Sequence, residues 1–502
     1  VQAARGKNVT AVTSYGPVRG RTLDGVHCFK GIPYGRETSG KRRFMPPQPP
    51  VPWARPLNAE EYGPASPQAG QYPDQSEDCL VMNVWTRGLD DAGKRPIMLW
   101  LHGGGFQSLS GSSPIYDGTN LCLRGDVVVM GLNHRLNIFG FLHLGDIAGQ
   151  HYQDSGNVGM LDIVAALQWI QDNAEHFGGD PDNVTIFGES GGGRKVSTLM
   201  GMPAARGLFH RAIVQSGPGL HLQPRDKAND VALAVLAELG LKPSEYSRLH
   251  ELPKEKLIAT YTSVTGRFDA DTRSKGRFEH RGLVPTVGVP SLPDYSFDPV
   301  ASPLSAEVPL LIGSNRHEMT YLWRRDKAVM ERTLTREALL ARLKIFTSEE
   351  AERVLEVYER LYPGLAPAVY LVMIVSDRTY RSDSITIAQR KAMQGAAPCY
   401  VYLFEWETNP VMLAHHALEI TFVFDNTSRE PDMSGGTPEA AALAAKMSEA
   451  WIAFARTGNP NTGNLPTWKP YSLQDRHTLL FNNESRLVAD PDAEVRQLWA
   501  TI

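Results

Sequence analysis

Cysteine is scarce in this chain and poorly placed for chemistry. Its four cysteines, Cys28, Cys79, Cys122 and Cys399, stand far apart. None forms a C-x-x-C pair, which argues against a zinc site or a dithiol redox motif and leaves buried free thiols as the expectation. An excess of one charge is lacking too: 51 Lys and Arg against 55 Asp and Glu give a formal net charge of -4. That balance is no footprint for nucleic acid and points to a small or neutral partner. No apolar run approaches the ~20 residues of a membrane-spanning helix. Low-complexity linkers and internal repeats are also missing, which favours one domain with insertions over two. Val1 stands where an initiating Met would be. Removal of a leading signal segment is one account, with a secreted or periplasmic location expected on it and a cytoplasmic one otherwise.

What is present is a substantial core-forming content, 42% hydrophobic, arranged as short apolar runs alternating with helical patterns. "CLVMNVWT" (79–86), "IMLWLHG" (97–103), "VVVMGLNH" (127–134) and "NVTIFGES" (183–190) read as buried strands. "GPVRGRTLDGVHCFKGIPYG" reads as two more, closing in a Gly-Pro turn. The stretch 160–177 places Ile163, Ala166, Leu167 and Ile170 at helical spacing. "VPLLIGSN" (308–315) and "CYVYLFEW" (399–406) return to strand character, and a tail helix stops at Gly458 and Pro460. Alternating strands and helices predict an α/β fold around a mostly parallel sheet. Regions of about 223–300 and 325–395 read as helical insertions bordering an active-site gorge.

Two glycine-rich turns carry chemistry. Gly188-Glu189-Ser190-Gly191-Gly192 matches G-x-S-x-G between a strand and a helix, the pattern of a serine lifted clear of a sheet on a strained turn. A phosphate loop is excluded, because Lys195 is followed by Val196 rather than Ser or Thr. His102-Gly103-Gly104-Gly105-Phe106 follows another strand, and its backbone N–H groups suit an oxyanion. A serine needs a base oriented by an acid. Glu318, just beyond the strand at 308–315, and His416, in "AHHALEITFVF", fit the order Ser, acid, His, although position alone does not select this one of the 14 histidines.

The ordered segments "FKGIPYG", "SEDCLVMNV", "LHGGGF", "NHRLNIFGFL", "GNVGMLD", "FGGDPDNVTIFGES", "IVQSG", "GSNRHE", "HHALEITFVF" and "WIAFARTGNPN" resemble the type-B carboxylesterases, the cholinesterase-like family, in a bacterial-type form. The resemblance implies an α/β-hydrolase fold and carboxylic ester hydrolysis through an acyl-enzyme, without metal or organic cofactor. It implies Ser190 as nucleophile, Glu318 as acid and His416 as base, with Gly104, Gly105 and Gly191 as the oxyanion hole. His416 rather than His415 fits the family's H-x-x-E-[IL]-x-F-V-F. Ion pairs Arg43–Glu77 and Arg135–Asp162 are implied as structural. Ser66 stands where animal members carry the disulfide partner of Cys79, so Cys79 is expected free. Gly191 replaces the family's usual Ala and is expected to be harmless.

Arg194 and Lys195 are a further departure, since relatives often carry small or neutral residues there. Lys195 is expected on the helix flank beside an acidic neighbour. Arg194, one turn past Ser190, is read as reaching the pocket to hold a substrate carboxylate by a bidentate fork. Esterases of this family that release tricarballylate from fumonisin-type mycotoxins make such an ester one candidate substrate. Phe106, Gln107, Leu220, Met319, Tyr321 and Phe422 are expected to wall the pocket. The rival readings are a cholinesterase-like adhesion protein that has lost its triad, and an acyltransferase or amidase using it. Oligomeric state is left open.

Overall fold

Short apolar runs between turn-forming residues become strands buried on both faces, as parallel sheets covered by helices require. The computed structural model describes residues 6–70, 72, 74–274 and 282–502. In it Val128–Leu132, Arg95–Leu101, Gly179–Glu189, Arg211–Gln215, Leu310–Asn315, Cys399–Phe404 and His477–Phe481 lie side by side in that order, every neighbouring pair parallel. Antiparallel strands extend both ends, from Val81–Thr86 out to Lys7–Thr13 on one side and Arg486–Ala489 on the other. The mostly parallel sheet expected from the strand–helix alternation is present.

Side chains alternate across the sheet. Leu99 and Ile186 enter one core with Val184 and Ile163, while Trp100 and Phe187 enter the other with Trp451 and Phe424. One local expectation is corrected. Gly16 and Pro17 open a strand rather than closing the hairpin. The chain reverses at Asp24–Gly25, with φ of 51° and 80°, left-handed values that Asp tolerates and Gly adopts freely.

The tail helix, Pro438–Thr457, shows how local sequence sets its ends. Thr437 caps it by accepting from Ala440 N, Pro438 takes the first turn, and Gly458 ends it at φ 78°, the roles these residues favour. Helices Arg225–Glu238 and Lys254–Ser274 occupy the first predicted insertion, whose segment 275–281 lies outside the described residues. Arg336–Thr347, Ala351–Leu361, Pro367–Ser376 and Ser382–Gln394 occupy the second. Leu339, Leu343, Val354, Leu355 and Leu371 build a separate apolar cluster there. Among the described residues no helix is long and apolar enough to cross a membrane.

Candidate active site

Open parallel sheets bind ligands beyond the carboxyl ends of their strands. Gly179–Glu189 delivers Ser190 there, Arg95–Leu101 delivers the His102–Phe106 loop, and Leu310–Asn315 delivers Glu318. Ser190 sits at φ 55°, ψ −119° between that strand and the helix Gly191–Leu199. A side chain in this conformation is strained and is held by its surroundings. Here Ser190 N donates to Gln215 O at 2.9 Å, and the turn closes tightly on the neighbouring strand. A Cβ on Gly192 would stand 1.9 Å from Leu101 O, and one on Gly191 2.1 Å from Gly105 O. Gly191 is therefore more than a harmless replacement for Ala, because the glycine loop rests against its bare Cα.

That loop holds its N–H groups through its carbonyls. In a trans peptide the C=O and the following N–H point in opposite directions. His102 Nδ1 lies 2.9 Å from Gly103 O; a carbonyl only accepts, so Nδ1 carries the proton and fixes the peptide that bears Gly104 N–H. Gly104 O accepts from Gln107 N at 3.2 Å and Ser108 N at 3.1 Å, which fixes the peptide bearing Gly105 N–H.

His416 comes from the turn before the helix Leu418–Val423. Its Nδ1 is 2.6 Å from Glu318 Oε2, and Glu318 Oε1 accepts from Asn315 N at 2.7 Å. Glu318 is wholly buried. His415 turns away, with Nδ1 on His416 O at 2.8 Å and its ring stacked on Tyr321. On its other side, His416 Nε2 lies 3.0 Å from Glu189 Oε1. That oxygen is off the alignment for a hydrogen bond and makes none among the described residues. Burial pushes the Glu189 carboxyl well up, the charge of His416 opposing and Glu419 and Glu318 adding. Burial acts to lower the His416 pKa, but Glu189 and Glu318 outweigh it and the net shift is upward.

Of these contributors Glu419 stands in the H-x-x-E motif, while Glu189, Gln215, Trp451 and Tyr380 had no separate signal in the sequence. Glu189 is the variable position of G-x-S-x-G. Glu419 accepts from Asn315 Nδ2 at 2.6 Å and from Gln215 Nε2 at 3.3 Å, and burial followed by Glu318 raises its pKa to about 7. Trp451 Nε1 of the tail helix donates to Gln215 Oε1 at 3.0 Å, tying that helix into the same network. Tyr380 lies on a π-helical turn, Asp377–Arg381, a feature common at functional sites. Its ring centre is 5.0 Å from that of His416. Arg381 anchors the turn to Asp492 at 2.7 Å, and Arg316, two residues before Glu318, reaches Asp492 at 3.3 Å and Glu405 at 2.6 Å.

Other expectations meet mixed outcomes. Arg43–Glu77 and Arg135–Asp162 form buried bidentate pairs. Cys79 is a buried free thiol beside Ser66. Gln107 is exposed and Tyr321 half-buried. Leu220 is buried, and Met319 packs into the helical insertion's own core. Phe422 is not a pocket wall: it is wholly buried, packed edge-on against Phe404 and tilted against Trp406. Phe106 is likewise buried beneath the loop, against Phe141. Lys195 is not on a solvated flank. It is fully buried, with Nζ donating to His102 O at 2.8 Å. Arg194 is half-buried.

Comparison with known proteins agrees with this fold. The family model described as "Carboxylesterase family" matches residues 7–499. The chain is 36% identical to para-nitrobenzyl esterase of Bacillus subtilis over 499 residues, 97% of each chain. It is 30% identical to phenmedipham hydrolase of Pseudarthrobacter oxydans, over 95% of this chain and 96% of that one. A crystal structure of a Geobacillus stearothermophilus carboxylesterase superposes with a TM-score of 0.86 at 36% identity, covering 98% of this chain and 99% of that one. With the fold, the elbow serine and the histidine between carboxylates already in place, the chain belongs to the carboxylesterase family, carboxylic ester hydrolases of the serine type built on the α/β-hydrolase fold.

Proposed function

We propose that the protein hydrolyses esters through a covalent acyl-enzyme at Ser190. The carrying observation is His416 Nδ1 held 2.6 Å from the buried Glu318 carboxylate, with Nε2 3.0 Å from Glu189, the residue that precedes the serine on its strained elbow. Ser190 attacks the carbonyl, and His416 takes its proton and returns it to the leaving alcohol. Glu318 fixes the Nδ1–H tautomer, leaving Nε2 to act as the base. Gly104, Gly105 and Gly191 N–H receive the oxyanion. Water activated by His416 then releases the acid. Fluorophosphonate labelling followed by peptide mapping tests the reading: modification at Ser190 supports it, and an intact, folded chain left unmodified defeats it.

The close packing at the elbow gives a sharper test. Gly191→Ala sets a methyl against Gly105 O, so the loop must retreat and one oxyanion donor is lost. Removing one such donor costs about 10²–10³-fold in kcat in other hydrolases. A kcat loss of that order on p-nitrophenyl acetate is expected, and wild-type turnover would place the loop elsewhere.

The proposed substrate class is an ester bearing a free carboxylate, of which a tricarballylate ester of the fumonisin type is one example. Support comes from the basic groups around Asp383, in the helix Ser382–Gln394. Arg378, Arg194 and Arg390 all act to lower the pKa of Asp383, which burial raises against them. Arg194 also acts on Tyr380, the residue beside His416. Arg194→Ala should raise KM for a carboxylated ester about 10–100-fold, the worth of one charged hydrogen bond. KM for a neutral p-nitrophenyl ester should not change. Equal effects on both esters would remove Arg194 from substrate recognition.

A further inference from the structure

We infer that Lys195 is a positioning residue for the glycine loop: its ammonium braces His102, and His102 sets the peptide plane from which Gly104 N–H is presented. This rests on the oxyanion-hole reading proposed above. Lys195 lies in the first turn of the helix that follows Ser190, and its side chain runs under the loop rather than into solvent. Nζ donates to His102 O at 2.8 Å and stands 5.7 Å from the centre of the Phe106 ring, within cation–π range. One ammonium is thus bonded to residue 102 and stands over the ring of residue 106. His102 carries the link onward through Nδ1–H to Gly103 O, and its ring stacks on His134 at 5.1 Å and 19°. His134 is itself pinned by its Nδ1–H to Arg135 O at 2.8 Å.

The loop has reason to need such a brace. Gly104 and Gly105 sit at φ 80° and 65°, and glycines lose more conformational freedom on ordering than any other residue. Without side chains of their own, their N–H directions depend on what holds their carbonyls. A buried ammonium is costly unless hydrogen-bonded, and burial does lower the Lys195 pKa to about 7, against the pull of Glu189. The same charge, after burial, works against protonation of His102 and of His134. That keeps His102 neutral, with its single proton on Nδ1.

The test is a double-mutant cycle of Lys195→Met and His102→Leu in the full chain, with circular dichroism to verify folding. Readouts are kcat and KM on p-nitrophenyl acetate and the affinity of an aryl trifluoromethyl ketone, which becomes an oxyanion on addition of a serine. Lys195→Met should lower kcat about 10–100-fold, less than the about 10²–10³-fold of losing an oxyanion donor outright, because the donor is misdirected rather than removed. KM should move less than about twofold, and ketone affinity should fall in parallel with kcat, as loss of transition-state binding requires. Lys195 holds the His102–Gly103 peptide and His102 Nδ1 holds the next one, Gly103–Gly104. Because Lys195 acts through residue 102 on Gly104 N–H, the double variant should lose less than the sum of the two single losses. A folded Lys195→Met with unchanged kcat and ketone affinity, a loss confined to KM, or additive losses would each overturn the proposal. Where the Met variant does not fold, Lys195→Gln takes its place in the cycle. Ser190→Ala in the same assay separates the two readings: absent Ser190-dependent turnover in the wild type, it is the esterase reading that fails.

Discussion

Ser190→Ala should lower kcat on a neutral ester about 10⁵–10⁶-fold, the scale at which removal of a hydrolase nucleophile is felt. Fluorophosphonate labelling should vanish with it. The fold should be unaffected, because Ser190 is held through its backbone N–H on Gln215 O, a contact alanine keeps. Adding His416→Ala should cost little more, since nucleophile and base act as one unit and their losses do not add. Turnover of Ser190→Ala within about tenfold of wild type would mean that the elbow is not where chemistry occurs.

Glu318→Gln should cost about 10⁴-fold in kcat at neutral pH, as amide replacement of a buried triad carboxylate does elsewhere. The geometry explains why an isosteric change is so damaging. Both carboxylate oxygens accept, Oε2 from His416 Nδ1 at 2.6 Å and Oε1 from Asn315 N at 2.7 Å. An amide offers one acceptor and one donor group, so either orientation sets NH₂ against a donor. Relief requires His416 to accept at Nδ1 and carry its proton on Nε2, where it can no longer take the serine proton.

The same variant should also move the pH profile. Burial lowers the His416 pKa, and Glu189 with Glu318 raises it further than burial lowers it. The base must be neutral to act, so kcat/KM falls as pH drops through that pKa. Removing the Glu318 charge removes part of the upward shift, and the acid limb should move to lower pH. A limb that stays in place or moves up would show that Glu318 does not set the base.

The degree to which this site was legible follows from what each part depends on. The elbow, the glycine loop and the strand before Glu318 are local patterns, and backbone conformation follows local sequence closely. Glycines at 188, 191 and 192 announce a tight turn because no side chain fits there, whichever segments surround them. The caps of the tail helix are legible for the same reason.

Burial and side-chain direction obey no such local rule. Phe422 stands in a motif beside His416, yet its ring goes to Phe404 and Trp406, because a short helix points successive residues to different sides. Tyr380 and Glu189 join His416 from distant parts of the chain, with Tyr380 placed by an ion network running through Arg381, Asp492 and Arg316. Lys195 is the clearest instance. In the first turn of a helix the dipole disfavours a cation, so the local expectation is a solvated side chain beside an acidic neighbour. Residue 102 instead lies over the side chain, 93 positions earlier in the chain.

By itself, then, the sequence determined the family, the α/β framework, the serine on its glycine-flanked turn and the chain order of Ser190, Glu318 and His416, all carried by spacing and residue type. Tertiary structure alone decided which carboxylates crowd the histidine, which aromatic rings reach it, and that one of the two cations behind Ser190 is buried under the glycine loop. The reason is physical: desolvation and hydrogen-bond geometry arise only when segments remote in sequence close around the same few ångströms.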